Sequence, residues 1–514
     1  MATVSYIPND PLASGGPPIQ QVRASRQPSK SAGFDIQPAA EPGIYPAQTP
    51  EFGFWQVQEA LIKGLKVWRD ADGAYPEAWF GGQRRLRVLT DAGDDLNAFY
   101  DRRSLQFFHH TFDGQRVHSS ESVDVAVHEE GHALLDMLRP DFFDVPFIEV
   151  GALHESFGDC IAILAALSDR AIRESLVADS PDLSAKHFVQ AMAEQLGDAI
   201  RREYGAAAVE DGALRNASNT FSWSDPTMLP PGGPATVLSG EVHSFSRVFT
   251  GAFYDALRNM YLNTGNRSAV SLNRAARTLG KLLVSGVRSV PATPRTFEGV
   301  GRRMVEADVA GNGGANAAAI RTAFAAHGMT LPAPAIEMPV PLKRRTRGGA
   351  AAELREELEV PSGTRLQYTP VSSDIHGEVT HVAAFRPMQL TEGELTGVRL
   401  LVPAVAEVRT RGRSVTGVIG EIRPADQQIE NEGRAFARAL LANGDIRTVP
   451  GAAAGAAEPP RRRTRGARPG GTQAGVVGPT PPRPAFAPFP PTHEIRVIGG
   501  EPTLTRVGFS GRRR

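Results

Sequence analysis

A chain of 514 residues has room for about three domains and a sizeable core, which excludes a mini-protein that depends on staples. Lys and Arg total 56 and Asp and Glu total 56, so no whole-chain field steers it to nucleic acid or to an anionic membrane, and any such role must be local. The single cysteine, Cys160, excludes intramolecular disulfides and a multi-cysteine metal cluster; a metal here must be held by histidines and carboxylates.

The first residues, Met1 to Pro18, carry neither a basic start nor an apolar run of signal-peptide length, and no segment reads as the ~20 apolar residues of a membrane span. The expectation is a cytoplasmic protein without membrane contact, with export by a non-classical route as the other possibility. Residues 1–50 are rich in Pro, Gly, Ser and Gln, and the composition predicts disorder. From 51 to 330 the pattern is globular. Val57, Ala60, Leu61, Leu65 and Val67 follow a helical face between Trp55 and Trp68. Leu86 to Val88, Asn97 to Tyr100 and Leu105 to Phe108 read as short strands between Asp/Gly turns. Helices dominate from Ser119 to about Met329. A Pro/Arg-rich linker is expected over 331–349, a small α+β module over 350–448, and a low-complexity Arg/Pro/Gly-rich tail over 449–514. In the module the strand-like runs are Val379 to Phe385, Val398 to Val408 and Val415 to Ile422, followed by a helix from Asp426 to Leu441. In the tail one more strand-like piece lies near Glu494 to Ile498.

The chemistry concentrates in one stretch. His128-Glu129-Glu130-Gly131-His132 matches H-E-x-x-H. On a helix i and i+4 lie side by side, so both imidazoles face one spot and Glu129 lies close enough to act on a metal-bound water. Val127, Leu134, Leu135 and Leu138 supply an apolar stripe, Ser120 and Glu121 suit the start of the helix, and Pro140 ends it. Two histidines do not complete a catalytic zinc site, which takes three protein ligands. Downstream, Glu155 and Asp159 share a helical face, one as ligand and the other as acceptor for a ligating imidazole's free N–H. His154 is the competing ligand, but it points about 100° away from Glu155 and leaves Asp159 without a role.

These motifs together resemble the thermolysin-like zinc metallopeptidases, the gluzincins. Asn97-Ala98-Phe99-Tyr100 resembles the family's edge strand, Ser122 to Asp136 its active-site helix, Gly151 to Asp159 its third-ligand stretch, and Gly240-Glu241-Val242-His243-Ser244 the segment that carries its catalytic histidine. The resemblance spans about 52 to 330 and implies a two-lobe α+β fold, a mixed β/α N-lobe and a helical C-lobe, with the small α+β module appended. It implies zinc on His128, His132 and Glu155, with Asp159 behind a ligand histidine. It gives Glu129 as general base, His243 as donor to the oxyanion, and Asn97, Ala98 and Arg215 as substrate contacts. The function implied is zinc-dependent endopeptidase, with a preference for a hydrophobic residue after the cut and a pocket near Val125. Asp124 matches a family calcium ligand, with Ala166 in place of its partner. Leu238 stands where the family orients its catalytic histidine with an Asp, and Pro146 stands where it has a second oxyanion donor. A catalytically impaired relative that only binds extended peptides or a partner protein is the alternative.

Other features have plainer readings. His109 and His110 alternate along a strand and cannot share one ion easily, so loop or surface is expected, and Cys160 in an apolar run reads as core. The runs Lys343 to Gly348 and Arg461 to Gly466 read as solvated linker, leaving nucleic acid an unlikely partner beside peptide or protein substrates.

Overall fold

The computed structural model describes residues 2–112, 114–332, 354–355, 366–374, 377–411, 414–422, 426–447 and 491–510. The expected linker from 333 onward, both arginine-rich runs and residues 448–490 lie outside them.

Along the chain the elements are β1 (Thr3–Tyr6), β2 (Gln20–Arg23), β3 (Gly33–Gln37), α1 (Pro50–Asp72), β4 (Arg85–Leu89), β5 (Ala98–Tyr100), β6 (Ser104–Phe107), β7 (His109–Phe112) and β8 (Gln115–His118). A largely helical stretch follows: α2 (Val123–Leu138), α3 (Ile148–Ser168), α4 (Arg170–Asp179), β9 (Ala191–Met192), α5 (Glu194–Tyr204), β10 (Arg215–Asn216), α6 (Val242–Asn263), α7 (Ala269–Ser289), α8 (Thr296–Asn312) and α9 (Ala317–Ala326). Then come β11 (Leu366–Asp374), β12 (Gly377–Gln389), β13 (Arg399–Arg411), β14 (Ser414–Ile422), α10 (Asp426–Asn443), β15 (Ile446–Arg447), β16 (His493–Ile498), β17 (Glu501–Arg506) and β18 (Phe509–Ser510). The chain is mixed α+β with several sheets.

The first correction concerns the expected disorder of residues 1–50: residues 2–50 are folded. β1 and β2 form a hairpin, and β3 runs parallel to β4 with Phe34 opposite Leu86 and Ile36 opposite Val88. Val4, Tyr6, Phe34 and Ile36 are buried. Each of these short strands has too little apolar surface to fold alone, and each is covered by a partner distant in sequence, which composition does not reveal.

α1 starts at Thr49, whose hydroxyl accepts from Phe52 N, with Pro50 in the first turn where its missing N–H does no harm. Its buried face packs on α2, α3 and α7. α3 is long and apolar enough to cross a membrane by length and composition, contrary to the first reading, yet it is enclosed by the protein on all sides. It carries Glu149, His154, Glu155 and Asp159, all buried. It is the central helix of the core, in contact with α1, α2, α6, α7 and α8.

The second correction concerns the C-terminal boundaries. Among the described residues the module's sheet runs β11-β12-β13-β17-β16-β15, with β14 on β13, so 493–506 belong to the module and not to a separate tail. β16 and β17 form a tight hairpin on Gly499-Gly500, both at positive φ, with Ile498 opposite Glu501. β18 leaves the module and joins the N-terminal sheet, in the order β18-β5-β6-β4-β3. Module residues Met388, Leu400, Phe436 and Leu504 share one core cluster with the helical body.

Candidate metal centre and peptide cleft

α2 begins at Ser122, whose hydroxyl accepts from Val125 N, and stops at Arg139 because Pro140 cannot continue it. The helix stacks His128 and His132 on one side, their rings 4.8 Å apart and nearly perpendicular. α3 lies against this face at very short range, and glycines permit it. A Cβ on Gly131 would sit 2.7 Å from Gly158 Cα, and one on Gly158 would sit 2.7 Å from the His128 ring and 2.9 Å from its carbonyl oxygen. That approach brings Glu155 to the histidines: one carboxylate oxygen is 3.3 Å from His128 Nε2 and the other 3.7 Å from His132 Nε2.

The buried polar atoms of this cluster are conspicuously open. His128 Nε2, His132 Nε2, both oxygens of Glu129 and both oxygens of Glu155 are buried without a hydrogen-bond partner. Leaving one such group unsatisfied costs about 1–3 kcal/mol, more when it is charged. Convergent imidazoles and carboxylates of this kind fit a cation, and His128, Glu129 and His132 are a buried group that could hold a metal ion. Glu155 lies against both histidines, its oxygens 3.3 Å and 3.7 Å from their Nε2 atoms.

Behind the ligands the groups are paired. His128 Nδ1 bonds Asp159 at 3.0 Å, which directs Nε2 to the cluster. Asp159 in turn accepts from Arg215 Nη2 at 2.9 Å and from Thr250 Oγ1 at 3.3 Å. Burial works against the Asp159 charge, but Arg215 and the bond to His128 outweigh it and hold the carboxyl below its usual range. Arg215, expected at the substrate, is thus buried and committed to Asp159. Burial pushes Glu129 up to about 8, a base poised near neutrality.

His243 comes from the first turn of α6. Its Nε2 lies 3.3 Å from Glu155. The carboxylate that orients it is Glu241, which accepts from His243 Nδ1 and caps α6 by accepting from the backbone N–H groups of His243 and Ser244. The offset implied by the resemblance falls on Leu238, whereas the carboxylate is Glu241; the signal for it is an acidic residue in capping position just before the helix. Burial opposes the charge on His243, but Glu155 and Glu241 hold it up to about 9.

Asn97 and Ala98 are buried at the start of β5, next to the cluster. The strand is not a free edge. β18 pairs antiparallel with it, Ser510 opposite Phe99 and Phe509 opposite Tyr100. The Ser510 carbonyl accepts from His243 Nε2 at 2.6 Å, and its hydroxyl donates to Asn97 Oδ1 at 2.9 Å. Nothing in the composition of the tail pointed to these two residues.

His154 lies outside the ligand set. It stacks on Phe509 at 4.1 Å, and both its nitrogens lack a hydrogen-bond partner. Burial holds it well below its ordinary value, hence neutral. Near Val125, where a pocket for a hydrophobic side chain was expected, lies a cavity of about 20 Å³ lined by Val125, Met192, Leu196 and Leu214 together with His128 and Glu129, room for about one water and not for such a side chain. A larger cavity, about 730 Å³, lies at the seam with the module among Val145, Phe385, Leu400 and Phe436, away from the metal-ligand cluster. Asp124 is buried, its carboxyl pushed well up by burial and by Asp10. His109 and His110 bond separate carboxylates, Asp91 at 2.6 Å and Asp94 at 2.7 Å, and sit in β7 where a loop or surface position was expected. Cys160 is buried core.

No family model matches this chain, and no curated protein matches it.

Proposed function

We propose that this protein is a zinc-dependent endopeptidase with a thermolysin-like arrangement. The observation that carries the reading is the convergence of buried atoms of His128, His132 and Glu155 that lack a hydrogen-bond partner, placed beside a peptide carbonyl that already accepts from His243. Two imidazoles and one carboxylate suit zinc, which takes N and O ligands and keeps a position open in catalytic sites. When bound, the ion supplies Lewis acidity and makes a water easier to deprotonate.

The remaining work falls to the chain. Glu129 takes the proton of the attacking water and hands it to the departing amine; its raised pKa suits both directions. His243, charged and held by Glu241, donates to the oxygen on which negative charge develops. β5 holds an extended peptide by main-chain pairing, which reads backbone more than side chains. Asp159 fixes the ring of His128, and Arg215 holds Asp159.

Metal analysis of the purified protein, with cleavage of a generic peptide library in the presence and absence of chelator, tests this. Stoichiometric zinc and chelator-sensitive cutting support it. Full zinc occupancy with no peptide cut, unchanged by Glu129→Gln and by opening the cleft, sinks it. The seating of β18 along β5 favours a second reading, a peptide holder that does not cut, and the same outcome would select it.

A further inference from the structure

Four independent features treat the segment Val507 to Ser510 as a peptide in the cleft. Its backbone continues the sheet in antiparallel register with β5. The Ser510 carbonyl and hydroxyl take His243 and Asn97. The ring of Phe509, 1% exposed, lies flat on His154 at 4.1 Å and on His132 at 4.7 Å, with Phe143 edge-on at 5.4 Å. Gly508 has no room for a side chain: a Cβ there would run into the Phe99 ring and would lie 2.6 Å from the Tyr100 carbonyl oxygen. The module delivers the segment. Arg399 of β13 pairs with Thr503 of β17, and Val507 N donates to Thr492 O at 2.8 Å, so the chain leaves a fixed hairpin one residue before Gly508.

We infer that residues 507–510 are the site's own peptide ligand, an internal occupant that external peptides must displace, and that the cleft accepts extended peptides carrying an aromatic residue followed by a small one. A short tether gives an attached ligand an effective concentration in the millimolar range, so a free peptide at micromolar concentration competes poorly. Its consequence for cleavage rests on the endopeptidase reading; the binding itself does not.

The test uses the full chain, a chain ending at Val507, and the full-length Gly508→Leu variant, all in a Glu129→Gln background so that nothing is cut. The probe is a fluorescent peptide of the sequence from Arg506 to Arg514, read by anisotropy, with circular dichroism reporting the fold. The shortened chain should bind it at least about 10-fold tighter than the full chain. Gly508→Leu, which removes no residue and leaves β16 and β17 intact, should shift affinity the same way. A probe with Phe509→Asp should bind about 10-fold more weakly, since it loses a buried aromatic contact. If the shortened chain and Gly508→Leu, both folded, bind the probe no better than the full chain, the inference is overturned. Restoring Glu129 and adding zinc separates the two proposals. A shortened chain that binds the probe but cuts no peptide refutes the endopeptidase and leaves the internal ligand standing. A shortened chain that cuts library peptides no faster than the full chain counts against the ligand and leaves the endopeptidase standing.

Discussion

The α2–α3 pair and the C-terminal strands meet at the same cluster but are built on opposite principles. In the helix pair the functional groups are near in sequence, and their placement follows from helical spacing plus the Gly131–Gly158 contact. Its inner polar atoms are left unsatisfied, while its outer ones are tied to Asp159, Arg215 and Thr250. β18 reaches the same place from far along the chain, its Ser510 bonding Asn97 across 413 residues, and nearly all of its polar contacts there are made. The difference teaches that one region keeps buried polar atoms that could hold a metal ion, whereas the other is partnered within the chain.

The sharpest way to break that contrast is to remove the open atoms. His132→Ala or Glu155→Ala leaves two protein ligands, so zinc content by atomic absorption should collapse and activity vanish with it. Glu129→Gln should keep the zinc and lose at least ~10²-fold in kcat, because only the proton transfer is removed. A smaller effect is expected one layer out. Asp159→Asn weakens the grip on the His128 tautomer and leaves Arg215 underpaired, so metal affinity in a chelator competition should fall about 10–100-fold. Glu241→Gln keeps an acceptor for the cap but removes one of the two charges, the other being Glu155, that favour protonated His243. It should lower kcat by up to about 10²-fold with unchanged zinc content, and a variant that loses zinc instead would place Glu241 in the metal set.

The smallest effect concerns the seam between the two regions. Glu149 on α3 and Glu432 on α10 are both pushed up to about 8, first by burial, and Glu432 further by the charge of Glu149. In the unfolded chain both ionise near the ordinary 4.5, whereas the fold keeps them protonated, so the folded state binds more protons between about 4.5 and 8. Stability should therefore fall as pH rises through that window and level off above it. Thermal melts from pH 5 to 9 check the sign, and Glu432→Gln should flatten part of the slope. Melting temperatures that rise with pH over this range would show that these carboxyls are not buried together.

Much of the site was legible beforehand because a helix converts sequence spacing into direction. His128 and His132 had to share a face, and Glu155 with Asp159 repeats the same interval on the next helix. Strands at 85–89, 98–100 and 104–107 and the helix from Asp426 were visible for the same reason, as local periodicity. Glu241 was harder, since a capping residue can turn its carboxylate to a side chain two positions on without any signature beyond its type. For Arg215 the resemblance implied a substrate contact, and what the fold adds is its pairing with the buried Asp159.

By itself the sequence determined the elements whose stability is local and the grouping that one helical turn can assemble: the helix that carries His128, Glu129 and His132, and the helix that carries Glu155 and Asp159. Tertiary structure alone decided that residues 2–50 fold, that 493–506 complete the module's sheet, and that β5 is paired with Phe509 and Ser510. The physical reason is common to all three. A short strand carries too few apolar residues to declare itself, and its hydrogen bonds and burial are supplied by partners outside the strand, whose choice depends on shape and register and leaves no period in the chain.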